Sequence, residues 1–339
     1  MKNFARLFLL VILVILGIAP MPTAHNVQAQ DDELTKVTLF LSYIPSVQFA
    51  PIYVAIERGY FAENGIEVEI EYNFDEANGV DRLAINDLQF GIISGEQVIL
   101  ARSAEKPLVY VMAWYQNFPV GVVVPADSDI ETPEDLKGKM VSLPGFQGAS
   151  YIGLRALLGS AELTERDLQL VPIGFSAPEV MCERQVDAAT VYIANEPLTI
   201  SQCYDVRVIP VSEYATLVSN GLVTNEETLE SNPELVAGMV DALLRGIADT
   251  IEDPDAAFEI ALPYADLPED QIETQYQVLL NSVELWRADV LGWTSEEAWE
   301  ATQQILLETE LLREPLDDLS AAYTYEFLPK LPEEVVEEE

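Results

Sequence analysis

Residues 36–70 constrain the fold of this chain more than any other stretch. Lys36 to Tyr43 (KVTLFLSY) is an apolar run that reads as a strand ending in a polar, aromatic tip. Ala50 to Gly59 (APIYVAIERG) has the apolar spacing of a short helix, and glycine supplies its stop. Tyr60 to Ile70 (YFAENGIEVEI) then turns at Asn64-Gly65 and continues as a second strand. Two strands joined through a helix must lie parallel in one sheet, because a parallel pair needs a crossover.

The alternation persists to about residue 211. Strands are predicted at 36–42, 67–72, 88–93, 107–113, 119–124, 139–143, 168–173, 187–192 and 206–211, mostly rich in Val, Ile, Leu or Phe, as buried parallel strands are. Helices are predicted between them at 50–58, 78–86, 95–104, 133–136, 149–158, 177–185 and 195–202. The fold class is therefore α/β with mainly parallel sheets. Gln116 to Gly121 (QNFPVG) ends one strand and starts another at once, which suits a crossing between lobes. Ser212 to Leu222 has no strong periodicity and reads as the return crossing. From Asn232-Pro233 onward the pattern is wholly helical (233–252, 254–263, 268–284, 295–307), with Pro233 suited to a first helical turn. Trp286, Trp293 and Trp299 read as packing anchors there. The expected organisation is a discontinuous lobe one (34–118 and 220–330), a lobe two (119–215), and a cleft between them.

The amino-terminal segment sets the compartment. Lys2 and Arg6 precede an apolar run from Leu7 to Ile18, and Val27-Gln28-Ala29 offers small residues for cleavage. Residues 1–29 are expected to be a signal peptide, the alternative being a retained anchor. The product would be a soluble protein of the periplasm or cell surface. The chain has 17 basic and 58 acidic residues, a net charge of −41. Such a surface repels nucleic acid and anionic membranes and favours a soluble monomer. The closing Glu333 to Glu339 run reads as a solvated tail. His25 is the sole histidine and lies within the segment to be removed, which argues against His-dependent hydrolysis and His-ligated zinc. Export favours a disulfide between Cys182 and Cys203, the alternative being two buried thiols. No metal or cofactor is expected.

Several stretches carry a family resemblance: Leu39 to Ala55, Ala55-x-x-x-Gly59-Tyr60-Phe61, Asn64-Gly65-Ile66-x-Val68, Leu88-Gln89-Phe90-Gly91-Ile92, Thr132 to Lys139 (TPEDLKGK) and Val186-Asp187-Ala188-Ala189. Over about 36–260 the chain resembles the periplasmic substrate-binding proteins of ABC importers, in the group that serves thiamine-pyrimidine precursors, riboflavin, alkanesulfonates and nitrate. The resemblance implies a type II two-lobed binding-protein fold with a hinge, a small-molecule ligand captured by lobe closure, and a membrane permease as partner. Two departures bear on the ligand. Tyr72 to Gly79 replaces the family's frequent glycine-rich loop, and Tyr43 to Phe49 is aromatic and neutral. Neither suits a small inorganic anion.

Ligands of open α/β sheets bind beyond the carboxyl ends of strands. The polar and aromatic residues at those ends are Tyr43, Gln48 and Phe49; Asn73 and Phe74; Glu96; Trp114, Gln116 and Asn117; Gln147 and Tyr151; and Tyr192, Asn195 and Glu196. Ser94, Gln97, Tyr115, Gly145, Phe146 and Ser150 flank them. Aromatic rings stack on flat heterocycles, and amides offer both a donor and an acceptor to ring nitrogens and carbonyls. Glu96 reads equally as a helix-opening carboxylate, and Trp114 and Tyr192 could serve the core. The inventory points to a flat vitamin or precursor, riboflavin first and a thiamine pyrimidine second. An anion receptor would want arginine in the cleft, whereas Arg82, Arg102 and Arg155 fall within helices. A pyrimidine-forming enzyme of this fold uses pyridoxal phosphate and an active-site histidine, which the exported chain would lack.

Overall fold

The computed structural model describes residues 34–331, so the expected signal segment and the acidic tail lie outside the described residues. The ten strands are β1 (Thr35–Leu41), β2 (Ile66–Tyr72), β3 (Phe90–Ser94), β4 (Leu108–Ala113), β5 (Val120–Pro125), β6 (Met140–Leu143), β7 (Gln169–Pro172), β8 (Ala188–Tyr192), β9 (Val206–Pro210) and β10 (Asn220–Asn225). They form two five-stranded sheets, ordered β2-β1-β3-β10-β4 and β7-β6-β8-β5-β9. The first βαβ unit is as expected, with Thr35 to Leu41 paired in parallel with Ile66 to Tyr72.

Each sheet is mixed in the same way. One strand runs against the others, and in each sheet it is the strand formed after the chain crosses over. β5 is antiparallel to both β8 and β9. β10 is antiparallel to both β3 and β4. A chain that leaves one sheet and enters the next directly arrives in the opposite sense, since it has no crossover helix to turn it around.

β10 corrects the expectation for 212–222. Part of that segment is a fully buried interior strand, although its sequence, NGLVTN, is polar at both ends. Its polar side chains are satisfied rather than solvated. Asn220 Nδ2 donates to Ser94 Oγ (3.1 Å), Thr224 Oγ1 to the Gln89 carbonyl (2.7 Å) and Asn225 Nδ2 to the Leu83 carbonyl (2.9 Å). Hydrophobic periodicity cannot reveal a strand buried through hydrogen bonds. Gly221 is required because a Cβ there would lie 2.0 Å from Cζ of the Tyr110 ring.

The carboxy-terminal helices cover the first sheet. The helix Pro233–Glu252 buries Val236, Met239, Val240, Leu243 and Ile247 on one stripe, the i, i+3, i+4 pattern of a core-facing helix. It packs on the helix Ala50–Glu57 so closely that a Cβ at Gly246 would lie 2.2 Å from the Pro51 carbonyl oxygen. Trp286 and Trp299 are fully buried, and Trp299 stacks on Tyr323 at 4.8 Å. Trp293 stacks on Tyr325 at 4.4 Å and donates its indole N–H to the Pro329 carbonyl (2.8 Å). In the second lobe Cys182 and Cys203 are bonded, which ties the end of the helix Ala177–Cys182 to the segment after Glu196–Ile200.

Two stability predictions follow from this packing. Gly246→Ala forces apart two helix backbones and should cost about 1–3 kcal/mol in a urea melt, and an unchanged midpoint would contradict the contact. Reducing the disulfide releases a loop with a sequence separation of 21. It should lower stability by roughly 3 kcal/mol, which a melt with and without reductant would read.

Candidate functional site

The carboxyl ends of strands from both sheets converge on one cavity of about 310 Å³, at the low end of the size that holds small organic ligands (about 300–1,000 Å³). From the first lobe, Ser42 and Tyr43 follow β1. Gln48 and Phe49 sit on a short 3-10 turn whose start is capped by Ser46, the side chain accepting from the Gln48 N–H (3.2 Å). Phe74 and Glu76 follow β2, where Asp75 caps the helix Glu76–Ala84 by accepting from the Asn78 N–H (3.1 Å). Trp114 and Tyr115 follow β4 and are held from behind, Tyr115 stacking on Trp286 at 5.9 Å. From the second lobe, Gln147 and Gly148 open the helix Gly148–Ser160, Phe175 follows β7, and Tyr192, Asn195 and Glu196 follow β8.

The walls are aromatic. Phe49 and Trp114 lie 6.4 Å apart with their rings tilted. At the mouth, Tyr43 and Phe74 from one lobe meet Phe175 from the other, with Phe74 and Phe175 centroids 5.1 Å apart. Phe74 and Phe175 are nonetheless 52% and 55% exposed, so these rings line the opening rather than the core.

The floor is polar and continuous across the lobes. Tyr192 donates to Asn220 Oδ1 (3.3 Å), Asn220 donates to Ser94 Oγ (3.1 Å), and the Ser94 N–H donates to Glu76 Oε1 (2.7 Å). Gln48 Nε2 lies 3.5 Å from the Tyr115 hydroxyl. Three acids shifted by burial belong to this region, beside the exposed Asp75 on its lining. Burial pushes Glu96 up to about 8, with Glu76 nearby adding repulsion. Burial also pushes Glu196 up to about 7, and raises Glu76 against the opposing donation from Ser94. Glu96 Oε2 and Glu196 Oε2 are buried without a hydrogen-bond partner among the described residues, as is Gln116 Nε2. Among the described residues that line the cavity none is lysine, arginine or histidine. No group of His, Cys, Asp and Glu there is placed to hold a metal ion. Chemically, the site offers flat apolar faces and an excess of acceptors.

Of the residues expected at the cleft, the structure brings together Tyr43, Gln48, Phe49, Phe74, Trp114, Gln147, Tyr192, Asn195 and Glu196. The others lie off the cavity lining. Asn73 Oδ1 accepts from the Asp75 N–H (2.9 Å) and shapes the loop. Glu96 is 1% exposed and sits behind the lining. Gln116 and Asn117 turn into the lobe crossing, their N–H groups directed at the Leu285 carbonyl (2.8 and 3.4 Å). Tyr151 is buried, with its hydroxyl 3.4 Å from Arg155 Nη1.

The cavity also holds residues that strand-end reasoning passes over. Glu76 looks like an ordinary first-turn acid, and Asn220 lies in the segment without periodicity. Phe175, an aromatic in the loop after β7, is the one with a legible signal, since it too follows the carboxyl end of a strand.

The raised acids give a pH dependence with a definite sign. A carboxyl whose folded pKa exceeds its unfolded value keeps a proton that the unfolded chain has released. Its contribution is therefore intact in acid and lost as pH rises through the folded value. Residues 34–331 contain no histidine, so few other groups titrate between pH 6 and 9. Melting temperature should fall as pH rises from about 5 to about 8 and level off above the folded values, by on the order of 2 kcal/mol of stability or several degrees. Glu96→Gln should flatten the slope, and an equal slope in the variant would remove Glu96 as its source.

Comparison with known proteins follows from this geometry. Residues 46–257 match the model of the family described as NMT1/THI5 like. The chain is 36% identical over 323 residues to the riboflavin-binding protein RibY of Chloroflexus aurantiacus, covering 92% of this chain and 91% of that protein. It is 29% identical over 328 residues to the formylaminopyrimidine-binding protein of Halalkalibacterium halodurans, covering 93% and 97%. Its fold matches that of the periplasmic aliphatic sulphonate binding protein SsuA from Escherichia coli, with a TM-score of 0.71 and 16% identity over 88% of this chain and 94% of that one. With more than half its length matched by the family model and one relative above 30% identity over nearly the whole chain, the protein belongs to the NMT1/THI5 like family, built on the two-lobed fold of periplasmic binding proteins.

Proposed function

We propose that this protein is an extracytoplasmic receptor that captures riboflavin and delivers it to an ABC permease. The observation that carries the reading is the chemistry of the interlobe cavity. Its aromatic walls (Phe49, Trp114, Tyr43) suit a flat ring system, and Gln48, Gln147, Asn195 and Glu196 supply hydrogen-bonding groups for ring edges and hydroxyls. The buried, partnerless Glu196 Oε2 asks for a ligand N–H or O–H. The 36% identity to a protein named for riboflavin binding supports this ligand. Full-length similarity to a formylaminopyrimidine-binding protein supports the second reading, a thiamine-pyrimidine precursor.

The lobes, 34–118 with 220–330 and 119–215, would close by bending at the two crossings near 116–121 and 212–222. Closure is favoured only by the contacts that the ligand makes to both sides at once. An enzymatic role of the pyrimidine-forming kind would lack its active-site histidine, since residues 34–331 contain none. Export ahead of residue 30, a monomeric state and a membrane permease as partner complete the proposal. Among the described residues no helix is long and apolar enough to cross a membrane.

A fluorescence titration with riboflavin tests the ligand. Saturable quenching is expected, and Glu196→Gln should raise Kd by roughly 10-fold, the cost of replacing a buried carboxyl oxygen that the ligand would partner by an amide group. Absence of quenching together with saturable binding of an aminopyrimidine would move the assignment to the second reading.

A further inference from the structure

Two helices open into the cavity without a side-chain cap of their own. The nine-residue helix Gly95–Ser103 has Ser94 as its N-cap, yet no cap bond is made by that side chain. The Ser94 hydroxyl instead accepts from Asn220 Nδ2. The thirteen-residue helix Gly148–Ser160 has Gln147 as its N-cap, again without a cap bond. Helix N-termini present N–H groups and the positive end of the dipole, which makes an open pair facing one cavity a natural place for a ligand's phosphate or sulfonate.

Here a side chain of the protein fills that place. Glu76 Oε1 accepts the Ser94 N–H at 2.7 Å. Its other oxygen extends toward the second helix, where a Cβ built at Gly148 would lie 4.0 Å from Glu76 Oε2. Gly148 has a φ of +75°, so its backbone turns as an L side chain would resist, and the absence of a Cβ leaves the approach clear. Glu76 thus engages the start of the first helix and lies beside the start of the second. Behind it stands Glu96, 1% exposed with Oε2 unpartnered, and no cationic side chain lines the cavity to offset the acids.

We propose that Glu76 is a specificity-determining residue whose carboxyl group occupies the anion-receiving corner of the cleft, so that the site admits an unphosphorylated heterocycle and rejects its phosphate ester. Exclusion has two physical parts: the Ser94 N–H is already taken by Glu76, and an incoming dianion would meet a cluster of acids in a setting of low dielectric. The ligand class rests on the receptor reading above, whereas the role of Glu76 as resident acceptor does not.

The experiment therefore has two arms, both on the intact protein. In the first, wild type, Glu76→Ala and Glu76→Gln are melted in increasing sodium sulfate against sodium chloride at matched ionic strength. Glu76→Ala should gain a saturable, sulfate-specific rise in melting temperature that wild type lacks, with Glu76→Gln between them. Equal sulfate responses in all three would overturn the assignment, and should Glu76→Ala fail to fold, the near-isosteric Glu76→Gln carries the comparison with wild type. In the second arm, Kd is measured for riboflavin and riboflavin 5′-phosphate. Wild type should prefer riboflavin by about 100-fold or more, and the ratio should shrink at least about tenfold in Glu76→Ala. Equal wild-type affinity for both would also overturn the inference. Binding of neither would overturn the flavin reading alone, leaving the sulfate arm to decide the role of Glu76.

Discussion

The architecture depends on two strands that run the wrong way. β5 and β10 are each inserted antiparallel, next to the edge strand of a sheet whose other members are parallel. Because each enters its sheet directly from the other lobe, the two crossings lie side by side and tie the lobes at one end. The parallel strands of both sheets then aim their carboxyl ends at the same gap. Every residue of the cavity occupies its place through this arrangement: β1 to β4 deliver one wall, β6 to β8 the other, and the first residue of β10, Asn220, joins the floor.

The cavity's electrostatics are one-sided. Glu76, Glu96 and Glu196 are gathered at a cavity that, among the described residues, is lined by no lysine, arginine or histidine. Burial alone would hold these acids neutral, and hydrogen bonds from backbone N–H groups oppose it. That balance makes the site a collection of acceptors in search of donors. It sets the chemistry of the ligand more narrowly than the aromatic walls do, since rings stack on many flat molecules and discriminate little among them.

Much of the fold was legible in the chain. The run from Lys36 to Ile70 declared a βαβ unit because apolar strands and a glycine-stopped helix each have a short-range signature. The helix Pro233–Glu252 was equally plain, with apolar residues every third or fourth position after Asn232-Pro233. β10 was hidden because its burial is achieved by Asn220, Thr224 and Asn225 bonding to neighbours remote in sequence. At the site, strand-end reasoning reached Tyr43, Trp114 and Glu196, whose positions follow from local order. It also gathered Gln116, Asn117 and Tyr151, which tertiary packing turns aside toward Leu285 and Arg155.

The sequence by itself determined the α/β class, the order of elements, the aromatic and amide character of the loops and the lack of histidine after residue 25. These are properties of local pattern and composition. Only the tertiary structure decided which loop residues share a cavity, that Asn220 completes its floor, and that Glu76 accepts the Ser94 N–H instead of merely opening its own helix. The reason is physical: a side chain's role as cap, counter-charge or ligand contact is set by the groups brought within hydrogen-bond distance. For Glu76 that group is the N–H of Ser94, 18 residues away.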